Sequence, residues 1–141
     1  MKYVAIMLIS LLFSHVSQAQ EWVSVGTDRQ GEDHLIYTKL VNNDDSEGFG
    51  AWVKYHTTDY TTVKGKKVSI RREVKQLMQI KCSSSEIAIV QTVVYNSKGE
   101  VIRSAKSYPD FSAVIPDSIG ELVLNAACNL NEGKNQDAVP E

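Results

Sequence analysis

The chain is poor in the residues that build common catalytic sites. Its 141 residues hold only two cysteines, Cys82 and Cys128, and three histidines, of which His15 lies in the N-terminal segment expected to be removed. That leaves His34 and His56, and neither stands in an H-E-x-x-H or paired C-x-x-C zinc spacing. The two cysteines are too far apart for a C-x-x-C redox pair. Ser83, Ser84 and Ser85 lack a G-x-S-x-G setting, and Asp44, Asp45 and Glu47 lack the spacing and terminal glutamate of an EF-hand calcium loop. Two pairings, Asp33 with His34 and His56 with Asp59, would need a strand crossing to become a site, and surface positions in an acid-rich loop and at a strand end account for them more simply. The composition therefore points away from an enzyme and calls for no cofactor and no metal.

A second long apolar run is also missing. Lys2 followed by the apolar stretch 4–13 and Ser17-Gln18-Ala19 has the order of an export signal, with cleavage expected after Ala19. The stretch is shorter than the roughly 20 residues a membrane helix needs, so the expected mature chain has no membrane span, and no cysteine follows the cleavage point to carry a lipid. About 120 residues then remain, the size of one domain. The expected division is a signal peptide over 1–19, a single domain over 20–128 and a disordered polar tail over 129–141.

Excess positive charge is absent as well. With Lys2 removed, 14 bases stand against 17 acids, which gives no general reason to expect nucleic acid. The distribution is uneven. Residues 21–47 carry seven acids (Glu21, Asp28, Glu32, Asp33, Asp44, Asp45, Glu47) against Arg29 and Lys39. Residues 54–81 carry eight bases (Lys54, Lys64, Lys66, Lys67, Arg71, Arg72, Lys75, Lys81) against Asp59 and Glu73. Paired charges across a solvated sheet are one account of this asymmetry; a basic face for a sulfated, phosphorylated or acidic partner is the other.

What the chain does have is strand pattern. Residues 22–25 and 35–37 read as short strands around a turn-rich stretch, and residues 49–56 alternate with period two and place aromatics on both faces. The threonine-rich, basic segment 57–67 reads as an exposed loop, which makes Lys64, Lys66, Lys67, Arg71 and Arg72 the candidate partner-binding residues. Residues 68–82 form the longest extended segment, with Val74, Met78, Ile80 and Cys82 on one face. Residues 87–95 are rich in β-branched side chains, and the turn 96–99 returns the chain antiparallel over 101–105. The apolar character of 87–95 on both faces leaves room for a second copy of the chain.

Ser118 and Glu121 have the S-x-x-E spacing of a capping box, and Ile119, Leu122, Val123, Ala126 and Ala127 give the following helix a wide apolar face. Cys128 falls near the end of that helix and Cys82 ends the inward face of a strand. In an oxidising compartment one bridge between them clamps helix to sheet. The expected fold is α+β: an antiparallel sheet of about six strands with a C-terminal helix on one face.

The order of Trp22-Val23-Ser24-Val25-Gly26, Tyr37, Trp52-Val53-Lys54-Tyr55, Ile80-Lys81-Cys82, the 95–99 hairpin, Ile115-Pro116-Asp117-Ser118 and Cys128 resembles the surface-adhesin protein E domain of Gram-negative bacteria. The resemblance covers nearly all of the mature chain, with Phe111 where relatives often carry tryptophan. It implies a sheet whose concave face holds the helix by a disulfide, and a non-catalytic module that attaches to a protein or matrix partner. The other expectation is a periplasmic structural or accessory protein of an envelope or secretion assembly. Both imply export, to the periplasm or to the cell surface.

Overall fold

The computed structural model describes residues 21–42 and 48–136. The signal over 1–19, the acids Asp44, Asp45 and Glu47, and the end of the expected tail lie outside them. Among the described residues eight strands share one antiparallel sheet: β1 (Trp22–Thr27), β2 (Asp33–Tyr37), β3 (Val41–Asn42), β4 (Phe49–Val63), β5 (Lys66–Lys81), β6 (Glu86–Tyr95), β7 (Val101–Lys106) and β8 (Ser112–Ala113). Six of them make the main path, in the order β1-β2-β4-β5-β6-β7, while two-residue β3 and β8 pair with β4 and β6. The described residues also form one helix, α1 (Ile119–Gln136).

Alternation explains the core. On β4 the odd positions Phe49, Ala51 and Val53 are buried, and Ile36 and Ile80 lie on the same face beneath Val123, Leu124 and Ala127 of α1. Side chains two apart on a strand share a face, so the even residues of β4 and the odd residues of β5 point away from the helix. The Cys82–Cys128 disulfide joins the end of the inward face of β5 to α1 and closes a span of 46 residues. By chain entropy such a closure contributes about 4 kcal/mol, a large fraction of a small domain's net stability.

Three local expectations meet the structure differently. The segment 57–67 is not a loop. It is the outer part of a long hairpin in which β4 and β5 stay paired from Phe49↔Ile80 out to Val63↔Lys66. Threonine is β-branched and suits a strand, and Lys64 (φ 48°) and Gly65 (φ 76°) form the two-residue turn with positive φ at both positions that a tight hairpin favours. The segment looks like a loop because the arm projects past the helix and both its faces are wet, so no apolar alternation marks it.

The helix also runs past Cys128 to Gln136, so residues 129–136 of the expected tail are helical. Leu130 packs against the core and carries the helix onward. At the other end, the Ser118 hydroxyl accepts the Glu121 amide (3.3 Å), but the Glu121 carboxylate accepts the amide of Asp117, not that of Ser118. The capping box is therefore offset by one residue on its return arm.

Candidate functional site

The helix covers one face of the sheet and leaves the other without a covering element among the described residues. Register arranges that open face in rows. Lys54 of β4 lies directly across from Lys75 of β5, flanked by Leu35 on β2 and Val93 on β6. One row toward the hairpin turn, His56 faces Glu73, which faces Tyr95; one row the other way, Trp52 faces Leu77. Trp22 and Tyr37 pair at the edge, with ring centres 5.0 Å apart.

Four lysine ammonium groups lie over aromatic rings, all on this face. Lys54 sits 4.4 Å from the ring centre of Trp22, Lys75 4.6 Å from Tyr95, Lys67 4.4 Å from Tyr60 and Lys81 4.2 Å from Phe111. A cation over a ring face gains about 0.5–1 kcal/mol at exposed sites, and the alkyl stem covers apolar surface as it crosses. The rings thus hold charge at fixed places on the sheet. Phe111 is one of these supports.

The central strands are strongly biased in charge here. Along the open faces of β4 and β5 stand Lys54, Lys67, Arg71, Lys75 and Lys81, against a single acid of the same strands, Glu73. Glu73 lies 3.2 Å from Lys75 and 4.0 Å from His56, and Glu32 reaches in to meet Arg71 at 2.8 Å. Beside them a depression of about 340 Å³ is lined by His56, Arg71, Glu73 and Tyr95 with the Asn96 turn, at the small end of the size range of ligand clefts.

The five basic residues singled out in the sequence do not form one cluster. Arg71 and Lys67 belong to the open face. Arg72 points to the helix side, where its Nε lies 2.7 Å from Asp59. Lys66 shares that side, and Lys64 occupies the hairpin turn. What sequence reasoning missed is Lys54, Lys75 and Lys81. Lys75 and Lys81 follow Lys67 and Arg71 along the same face of β5, and the β4–β5 register sets Lys54 opposite Lys75.

The histidine pairings separate too. His34 faces the helix side, stacks on Tyr55 at 4.6 Å and bonds Asp28 at 3.0 Å, whereas Asp33 bonds Ser24 on the opposite face. His56 and Asp59 likewise lie on opposite faces. Asp28 also accepts the amides of Gln30 and Glu32, which ties the β1–β2 turn together. Its bond to His34 leads these contacts in holding the carboxyl below its ordinary value, while burial pushes the Tyr55 phenol up. Among the described residues no group of three or more His, Cys, Asp and Glu is placed to hold a metal ion, and no helix is long and apolar enough to cross a membrane.

No curated protein and no solved structure matches the chain. The family model for surface-adhesin protein E matches residues 22–129, a span that starts at the first strand and ends one residue past the disulfide. Sheet, bridged helix and family match agree, and the chain belongs to the surface-adhesin protein E family.

Proposed function

We propose that this protein is an exported, non-catalytic binding module that meets a protein or matrix partner through the helix-free face of its sheet. The observation that carries the proposal is the charge pattern of that face: five bases against one acid on the two central strands, with four ammonium groups positioned by aromatic rings. Such a surface attracts acidic partners over a distance and fixes their register on contact. The disulfide contributes rigidity, and the bridged cysteines hold no thiol for chemistry.

The test has two arms. Amine labelling of intact cells reports whether the protein reaches the outer surface, and binding of the purified protein to immobilised matrix proteins reports attachment. Labelling together with saturable, salt-sensitive binding supports the proposal. Protection from label in intact cells together with absent binding would favour a periplasmic accessory role.

A specific observation supports that second reading. Among the described residues β7 is one of the two edge strands of the main path, with β1 at the other end, and it is exposed at all six positions; an unpaired edge offers backbone groups to a second strand. Self-association through it would form a homodimer. Light scattering at high protein concentration separates a dimer from a monomer.

A further inference from the structure

Given that the helix-free face is the binding face, its geometry narrows the partner. We propose that it binds a linear acidic polysaccharide, a chain of sulfated or uronic-acid sugars, laid along β5 from Lys81 toward Lys67. The bases of β5 on this face follow one strand. Lys67, Arg71 and Lys75 recur every fourth residue, about 13 Å apart at a rise of about 3.3 Å per residue, and the run from Lys67 to Lys81 spans about 46 Å. An array this long and narrow suits an extended chain with regularly placed anions better than a compact acidic patch or a small molecule.

Two further features fit a sugar chain. The lysines are backed by Tyr60, Tyr95, Trp22 and Phe111, so their ammonium groups are already placed and lose less freedom when an anion arrives. Beside Tyr95, the depression holding Arg71, His56 and Glu73 mixes cationic and carboxylate groups; a sugar with both an acidic substituent and free hydroxyls satisfies both. An acidic peptide, in contrast, gains most by adding to a free sheet edge, and β4 and β5 are interior strands.

Lys54 and Lys75 supply the most specific evidence. Like charges directly opposite on neighbouring strands destabilise a sheet, and Glu73 meets only one of the two. An anionic chain that lies across this row and meets both ammonium groups where the rings hold them screens that repulsion.

The full-chain protein is tested against a heparin-type oligosaccharide, its desulfated counterpart and duplex DNA, in a salt series. The expected result is binding to the sulfated chain, weakened about tenfold in Lys54→Gln/Lys75→Gln, with a shallower salt dependence because fewer counterions are released. Lys64→Gln/Lys66→Gln, which alters the hairpin end, leaves it within about twofold. Circular dichroism establishes that both variants are folded. Three outcomes overturn the inference: equal binding to desulfated chain, equal or tighter binding to DNA, or loss in the hairpin-end variant with none in the central one. If the sulfated chain fails to bind while matrix proteins still do, the polysaccharide is wrong and the binding face stands; if neither binds, both are wrong.

Discussion

Lys54 and Lys75 are direct cross-strand partners in the middle of the sheet, yet their ammonium groups lean to opposite sides, one over Trp22 on β1 and the other over Tyr95 on β6. The aromatic rings take up two charges that the register forces together. Their coupling is therefore measurable in the free protein. A double-mutant cycle with Lys54→Met and Lys75→Met should give an unfavourable interaction of about 0.2–1 kcal/mol at low salt, shrinking as salt screens it. A favourable or salt-independent coupling would show that the pair is not repulsive.

The disulfide should account for a large share of stability. Cys82→Ala/Cys128→Ala opens a 46-residue closure and is expected to cost about 4 kcal/mol by guanidinium unfolding. Retention of full stability would mean that the contacts of Val123, Leu124 and Ala127 suffice to seat the helix.

Gly48 lies against the backbone of β5. A Cβ there would stand 2.5 Å from the Ile80 carbonyl oxygen, and a backbone atom in a paired strand cannot easily retreat. Gly48→Ala should lower stability by about 1–3 kcal/mol, read as a reduced urea midpoint with an unchanged slope. Gly65→Ala tests conformation instead, since nothing lies within 4 Å of a Cβ there and its loss arises from φ 76° alone.

The Asp28–His34 contact should make stability acid-sensitive in a defined direction. The native Asp28 carboxyl is held below its ordinary value of 3.8 by the His34 bond and by backbone amides. The stabilisation it gives is present above about pH 4 and disappears as pH falls through the lowered native value. Asp28→Asn keeps an acceptor for the turn amides but removes the charge. The difference in melting temperature between wild type and Asp28→Asn should be widest above pH 4 and close toward pH 2. A difference that persists undiminished to pH 2 would assign the effect to turn geometry.

Much of the fold was legible because alternation and caps are local signals. Val74, Met78 and Ile80 announce the helix-side face of β5 by parity, with Val74 and Ile80 buried and Cys82 exposed just past the strand's end, Gly99 takes the expected positive φ, and Ser118 starts the helix where its spacing requires. The arm 57–67 was not legible, because a strand wet on both faces carries no apolar period. The binding face was only half legible. Arg71 and Lys67 stand in a basic segment and Lys81 ends the same face of the same strand, but Lys54 joins them through pairing between strands, and Arg72, adjacent in sequence to Arg71, is carried to the opposite face by the strand's period of two. Register is a tertiary property, and charge runs along a chain do not report it.

The most direct test of the binding face is a lysine footprint. The protein is acetylated free and while bound to an immobilised matrix preparation, and each site is quantified by mass spectrometry. Lys54, Lys75 and Lys81 should be protected on binding, while Lys64, Lys66 and Lys98 label as they do in the free protein. Protection confined to Lys64 and Lys66, or none at Lys54 and Lys75 while the protein stays bound, would contradict the account.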